Sequence, residues 1–304
     1  METKNKKAVV LYSGGLDSRL AIKLLLDQGF EIHALYFNLP YGCGCCNLDC
    51  NFNFTQKELV KLVVMDVTKE PMLSEYLELI KNPKYGSGSG INPCKDCKSY
   101  IFKKAKEYAD SNDIEVIATG EVLGQRPMSQ VGSAMKIIDE EIGFEILRPL
   151  SAKLLQETSF EKKGLVDREK LLSIQGRGRK EQMKLAEEYG IKYPSPGGGC
   201  YLCEKVPSMR LKFLLEKNLV NEETLPLSIC GRHFFIDGVW FIVARDSKES
   251  EVIMKFDNVL EGGKGKPAVY FNLESGKEKA AQLQEVYSTG ASEEERKKFG
   301  EFGL

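Results

Sequence analysis

The chain is short of histidine, tryptophan, net charge and long apolar runs. Only His33 and His233 carry imidazole, so any metal site must be built mostly from sulfur. Lys and Arg number 43 against 44 Asp and Glu, a net charge of −1. That near-neutrality excludes a polycationic nucleic-acid coat and an acidic disordered tail, and leaves room for a local basic patch. No stretch approaches the roughly 18 apolar residues that would span a bilayer, so no membrane partner is expected. The opening METKNKK leads into a strand-like run without a small-residue cleavage site, which points to the cytoplasm. There is no internal repeat and no low-complexity tract. The single Trp240 lies on an alternating apolar run and is expected in a core, and His233 is expected to be a packed histidine. With 304 residues, 42% of them hydrophobic, the chain can bury one large domain or one and a half.

Cysteine, by contrast, is plentiful. Nine residues fall as Cys43, Cys45, Cys46 and Cys50, then Cys94 and Cys97, then Cys200 and Cys203, with Cys230 alone. In a reducing compartment such clusters bind metal or carry sulfur more often than they form disulfides.

Residues 6–12 form a continuous apolar run ending in SGGLDS, as a buried parallel strand does before a ligand-binding turn. A helix begins at Asp17, with Leu20, Leu24 and Leu25 on one face and Gly29 as its stop. A strand EIHALYFN, the cysteine-rich loop 40–54, a short helix and a strand around KLVVMDV follow. Next come a helix over 70–80, the glycine- and serine-rich NPKYGSGSGINP, a helix over 94–111 and a strand over 114–120. This alternation predicts an α/β fold with a doubly wound parallel sheet covered on both faces. Residues 1–210 are expected to form that domain, with a helical, basic segment over 153–193. Residues 222–304, carrying SICGRHFFID and VWFIVARD, are expected to form a small α/β domain.

Ser13, Gly14, Gly15, Leu16, Asp17 and Ser18 sit where the first strand hands over to a helix. Glycines there let a backbone approach a ligand closely, and the free amides at a helix N-terminus point at an anion. The loop lacks the Gly-Lys-Ser/Thr of a Walker loop and the spacing of the dinucleotide fingerprint. The bland alternative is a tight turn with a capping aspartate. Further on, Cys94 and Cys97 stand three apart in the first turn of a helix, where the N-terminus favours thiolates. PSPGGGCYLC repeats the spacing with Cys200 and Cys203. Two such pairs are compatible with structural zinc, with a redox pair, or with a functional iron–sulfur cluster or sulfur relay.

SGGLDS resembles the PP-loop of the ATP pyrophosphatases. Together with NPCKDCK, ATGEVLGQRPMSQ, ILRPL, DREKLL with GRGRK, and YPSPGGGC, it resembles the PP-loop tRNA thiouridine synthases, over about residues 6–205. GEVLGQ with Ser129 and Gln130 is similar to the motif of the 4-thiouridine synthases, and NPCKDCK to the cysteine motif of the 2-thiouridylases. The resemblance implies a PP-loop fold and ATP binding by Ser13, Gly14, Gly15, Asp17, Ser18, Gly120 and Gln125, with Asp17 tied to phosphate and Mg²⁺. It implies a 4Fe–4S cluster on Cys94, Cys97 and Cys200 whose open iron takes up sulfide. Cys203 departs from the three-cysteine pattern, either as a fourth or alternative ligand or as a spare thiol. The implied reaction is ATP-dependent: a uridine carbonyl of tRNA attacks the α-phosphate and displaces pyrophosphate. Sulfide at the iron, or a cysteine persulfide, then expels AMP. Sulfide or a cysteine desulfurase would be the donor, and a homodimer follows by analogy.

Between Lys153 and Lys184 there are nine Lys or Arg against five Asp or Glu, a local +4. Within it Arg177, Arg179 and Lys180 sit in a glycine-flexible loop suited to phosphate contacts and form the candidate tRNA surface; a merely solvated face is the alternative. Cys43, Cys45, Cys46 and Cys50 could form a second metal site, an accessory persulfide route or an incidental loop. In the C-terminal stretch GRHFFID resembles, over a short motif, the RNA-binding domain of NFACT proteins; neither a THUMP domain nor the 2-thiouridylase barrel is recognisable. Two rivals remain at this point. One is a PP-loop small-molecule amide or nitrile synthase with structural zinc. The other is a non-catalytic RNA-binding or sulfur-trafficking protein.

Overall fold

The computed structural model describes residues 6–42, 48–86, 88, 90–195, 199–300 and 302–304. The chain divides into two compact units, Met1–Lys205 and Val206–Leu304.

In the first unit four strands form one parallel sheet in the order β3-β2-β1-β4: β1 (Lys7–Leu11), β2 (Glu31–Asn38), β3 (Lys61–Asp66) and β4 (Val116–Thr119). Helices α1 (Leu16–Leu26), α2 (Leu48–Lys57), α3 (Met72–Lys81) and α4 (Cys94–Ser111) connect them, and α5 (Gly132–Ile142) follows β4. Successive side chains of a strand point to opposite faces. Accordingly Ala8 and Val10 join one core with Leu16, Leu20 and Leu24 of α1, whereas Val9 and Leu11 join a second with Phe102 and Ala105 of α4 and Ile138 of α5. Burial on both faces explains why β1 reads as an unbroken apolar run rather than an alternation. The sheet is doubly wound, as the element order predicts.

β2 and β3 lie to one side of β1 and β4 to the other, so the winding reverses between β1 and β4. At such a switch point the connections leaving two adjacent carboxyl ends diverge and open a crevice. The glycine loop follows β1 and Gly120 follows β4, which puts both at that crevice.

The segment over 153–193 is less helical than its polar texture suggests. Its α-helices are α6 (Ser159–Lys162), a single turn, and α7 (Lys180–Glu188), with short 3-10 turns at Ala152–Leu154 and Arg168–Lys170. Gly164 and Gly176 both take positive φ, which breaks the helical run, while Phe160, Val166, Leu171 and Ile174 bury themselves in the core that α1 lines. The loop expected over 40–54 is also shorter, because α2 starts at Leu48. Cys43, Cys45 and Cys46 and the side chain of Cys50 lie outside the described residues.

The second unit begins with α8 (Lys205–Glu216) from its second residue onward. Its antiparallel sheet has the order β5-β6-β8-β7: β5 (Arg232–Ile236), β6 (Val239–Val243), β7 (Val259–Leu260) and β8 (Val269–Phe271). α9 (Ser247–Ile253), α10 (Lys277–Val286) and α11 (Glu293–Gly300) complete it. Trp240 and His233 are both buried and pair with each other. Trp240 Nε1 donates to His233 Nδ1 at 3.0 Å, so His233 Nε2 carries the proton and donates to the Cys230 carbonyl at 2.7 Å. Among the described residues no helix is long and apolar enough to cross a membrane.

Candidate active site

The loop from Ser13 to Ser18 is held open by its own backbone and by one arginine. Gly14 has φ +77°, a conformation glycine adopts without strain. Gly15 caps α1 from an extended conformation, and Ser18 Oγ donates to the Gly15 carbonyl at 2.9 Å. Arg19 is 4% exposed; its Nε donates to the Gly14 carbonyl at 2.8 Å and its Nη1 to the Lys192 carbonyl at 2.7 Å. The loop therefore presents amides at a helix N-terminus, while its one internal cation is committed to holding the backbone.

Gly120 closes the crevice from the β4 side. A Cβ there would lie 2.5 Å from the Ser18 amide nitrogen and 2.7 Å from the Asp17 carbonyl oxygen, so only glycine permits this approach. Gln125 Nε2 donates to Asp17 Oδ2 at 3.0 Å, and Asp17 Oδ1 is buried with no protein partner. Burial raises the Asp17 carboxyl above its ordinary range, against the Gln125 hydrogen bond and the charges of Arg179 and Arg126, which lower it. A half-satisfied buried carboxylate at a helix N-terminus fits a cation such as Mg²⁺ bound alongside phosphate. Of the residues expected to bind nucleotide, Ser13, Gly14, Gly15, Asp17, Ser18, Gly120 and Gln125 all meet at this crevice.

A second cluster gathers the two cysteine pairs. The Asn92 amide donates to the Leu202 carbonyl at 2.9 Å, a tether that sets the 94–97 segment beside the 200–203 turn. Cys94 Sγ stands 3.5 Å from Cys203 Sγ, and the Cys200 thiol also acts on Cys203 while lying 3.2 Å from the Tyr41 carbonyl. Cys97 Sγ is 3.5 Å from the hydroxyl of Tyr76, itself 1% exposed. The sequence places the thiolates at Cys94 and Cys97, and here the structure differs. Hydrogen bonding to Cys203 and burial push Cys94 up, and burial pushes Cys97 up. The acidified thiol is Cys203, which accepts hydrogen bonds from Cys200 and Cys94 and feels the charge of Arg126. The helix N-terminus is outweighed by desolvation and by three thiols competing for one proton deficit. Four thiols, with no imidazole or carboxylate among them, are the donor chemistry of zinc and iron–sulfur sites. Among the described residues no group of three or more His, Cys, Asp or Glu side chains is arranged to hold a metal ion.

Between the two clusters stand residues the sequence left unmarked. Arg126, directly after Gln125, is exposed, and its charge reaches both Asp17 and Cys203. Glu121, the residue after Gly120, is 1% exposed. It accepts from Lys98 Nζ at 2.7 Å and from Arg148 Nε at 3.0 Å, and Arg148 in turn grips Asp139 at 2.6 and 3.0 Å. Burial would raise Glu121, but the two cations outweigh it and hold the carboxyl below its usual range. Lys98 follows Cys97, so this network locks the thiol-bearing end of α4 to the crevice strand β4 and to α5. The only sequence signal for it is a glutamate where a buried strand ends. In the basic segment Arg177 and Lys180 are exposed, while Arg179 is half-buried.

Residues 3–156, about half the chain, match the family described as "Thiamine biosynthesis protein (ThiI)". Among curated proteins the chain is similar to the tRNA-specific 2-thiouridylase MnmA of Cytophaga hutchinsonii, 31% identical over 132 residues, 39% of this chain and 35% of that protein. It is also similar to the tRNA sulfurtransferase of Shewanella baltica, 31% identical over 145 residues, 47% of this chain and 28% of that protein. The chain thus spans about a third of the length of these relatives. Among solved structures, "Crystal structure of a 4-thiouridine synthetase - RNA complex with bound ATP" aligns with a TM-score of 0.43 at 20% identity, over 74% of this chain and 52% of that one.

Proposed function

The chain belongs to the ThiI family, and from that premise we propose that it is an ATP-dependent tRNA sulfurtransferase, adenylating a uridine carbonyl and replacing its oxygen with sulfur. The observation that carries this is the pairing of an anion-ready glycine loop with a four-thiol cluster, with Arg126 charged toward both. Curated relatives named as tRNA sulfurtransferase and 2-thiouridylase support the reaction class.

In this reaction the amides of the Ser13–Ser18 loop hold the ATP phosphates, while Ser18 Oγ, donating to the Gly15 carbonyl, keeps the loop in shape. Asp17, with Oδ1 buried and unpartnered, would hold Mg²⁺. Gly120 lets the end of β4 close on the loop backbone at Asp17 and Ser18, and Gln125 fixes the Asp17 rotamer. A uridine oxygen attacks the α-phosphate, the bond to the pyrophosphate leaving group breaks, and the adenylate makes a poor leaving oxygen into AMP. Cys94, Cys97 and Cys200 are the proposed ligands of a 4Fe–4S cluster, with Cys203 as the fourth thiol within reach. Such a cluster, when bound, supplies a Lewis-acidic iron able to carry sulfide. Tyr76 orients Cys97, and Arg126 offers a positive charge to the developing phosphate and to the Cys203 thiolate. Arg177 and Lys180 are the proposed tRNA contacts, sulfide or a desulfurase persulfide the donor, and a cytoplasmic homodimer the working form.

One observation favours a second reading. Two sulfurs on one zinc, each at about 2.3 Å, stand roughly 3.8 Å apart, close to the 3.5 Å between Cys94 and Cys203. A structural zinc would then accompany small-molecule amide or nitrile synthesis. Metal analysis of anaerobically purified protein, with pyrophosphate release as the activity readout, separates the two. Iron with acid-labile sulfide, and pyrophosphate release that requires unmodified tRNA and disappears in Asp17→Ala, is the expected result. Zinc with tRNA-independent release would replace it with the synthase.

A further inference from the structure

The glycine loop leaves a charge problem. Triphosphate and the departing pyrophosphate are polyanions, the loop lacks the lysine of a Walker loop, and Arg19 already donates to Gly14 and Lys192. Mg²⁺ at Asp17 and the exposed Arg126 would offset part of that charge, which leaves a buried, directional cation to come from elsewhere in the fold.

α7 supplies the candidate. It packs against α1, whose N-terminus is the glycine loop, and Arg179 caps the start of α7. Arg179 Nε is buried without a hydrogen-bond partner, although the side chain as a whole is only half-buried. Gln182, three residues on and therefore on the same helical face, is 0% exposed with neither Oε1 nor Nε2 partnered. Leaving such groups unpaired costs on the order of 1–3 kcal/mol each, so a fold keeps them when something else completes them. Asp17 Oδ1 is a fourth buried and unpartnered polar atom, and the Arg179 charge is felt by that carboxylate. Arg177 and Lys180, its neighbours, are exposed, so the basic loop has an outward pair and an inward member.

We propose that Arg179 binds the β- and γ-phosphates of ATP and the departing pyrophosphate, with Gln182 as a positioning residue: its amide and Arg179 Nε, both unpartnered in the ligand-free fold, come together when phosphate draws the Nη edge of the guanidinium into the crevice. This rests on the nucleotide site proposed above, and it removes Arg179 from the tRNA surface. The guanidinium fork matches a phosphate edge with two parallel hydrogen bonds, which a lysine would replace only as a point charge.

Equilibrium binding of ATP, inorganic pyrophosphate, AMP and tRNA to the full chain tests this. Arg179→Ala should weaken pyrophosphate and ATP by about tenfold or more, and AMP and tRNA by less than about twofold. Arg179→Lys should recover only part of the loss. Gln182→Met should weaken pyrophosphate by about threefold alone and add nothing in the Arg179→Ala background, because it acts through that side chain; an additive effect would mark it as merely structural. Circular dichroism on each variant excludes misfolding as the cause. If Arg179→Ala lowers tRNA affinity and leaves pyrophosphate binding intact, Arg179 belongs with Arg177 and Lys180 and the inference is overturned. If the wild-type chain binds neither ATP nor pyrophosphate, the nucleotide site itself falls.

Discussion

Asp17 illustrates how a single residue trades stability for chemistry. Its carboxyl is raised above 3.8 chiefly by burial, so the ionised form is disfavoured in the fold. A group with a raised folded pKa contributes its stability below the unfolded value and loses it as pH rises through the folded value, so at neutral pH the charge costs stability. Asp17→Asn keeps the shape and the acceptor for Gln125 without the charge. It should raise the thermal midpoint of the ligand-free protein while abolishing ATP turnover. An unchanged or lowered midpoint in differential scanning calorimetry would contradict the desolvation argument. Gly120 is the opposite case, a residue whose absent side chain is its function. Gly120→Ala places a carbon 2.5 Å from the Ser18 amide, and the loop must move. A loss of at least about 1–3 kcal/mol and of ATP affinity is expected, measured by denaturant titration and nucleotide binding. Asp17 stands out in the sequence because the loop's composition and its place after a strand are local signals, whereas Gly120 enters only through the resemblance that ATGEVLGQRPMSQ carries. That Cys203 is the thiolate is not legible there. Which of four cysteines becomes the thiolate depends on the hydrogen bonds that Cys94 and Cys200 direct at it, and the one from Cys94 joins residues more than a hundred positions apart.

Among the elements, α4 is held at its thiol-bearing end by the buried network of Lys98, Glu121, Arg148 and Asp139. Removing one partner of a buried ion pair strands the other, at about 3–5 kcal/mol. Arg148→Met should therefore destabilise the first unit strongly. Arg148→Met with Glu121→Leu and Lys98→Met should recover much of that loss, because the charge left behind, Asp139, is 39% exposed and is solvated rather than buried. A triple variant no more stable than the single one by urea denaturation would show that the network does more than neutralise itself. The helices and strands themselves follow from pattern: apolar runs bounded by glycine read as buried strands, and β1 to β4 fall within a few residues of where the runs place them. The stretch over 153–193 is less legible. Its charge and helical texture concealed Phe160, Val166, Leu171 and Ile174, which bind it to the first core as irregular chain. Single apolar residues at uneven spacing carry no period from which burial could be inferred.

At the scale of the whole molecule, each of the two compact units has a titration of its own. In the second, burial and the Arg210 charge hold His233 down at about 3, since a proton on Nδ1 would face the Trp240 N–H. A depressed pKa contributes stability above the unfolded value of 6.5 and loses it as pH falls toward 3. The loss should be about 1.4 kcal/mol for each pH unit within that window. Followed by Trp240 fluorescence, the only tryptophan signal in the chain, the unfolding midpoint of this unit should drop across that window and not above it. A midpoint independent of pH between 6.5 and 4 would contradict the neutral, doubly hydrogen-bonded His233. For the first unit the central claim is that glycine loop and thiol cluster serve one reaction on tRNA. Nucleoside mass spectrometry of unmodified tRNA tests it most directly, after anaerobic incubation with iron-reconstituted protein, ATP, Mg²⁺ and sulfide, and with ATP omitted as control. A thiouridine that requires ATP, and that is lost in both Asp17→Asn and Cys94→Ala, is the expected result. No thionucleoside from protein that carries its metal and binds ATP would contradict it.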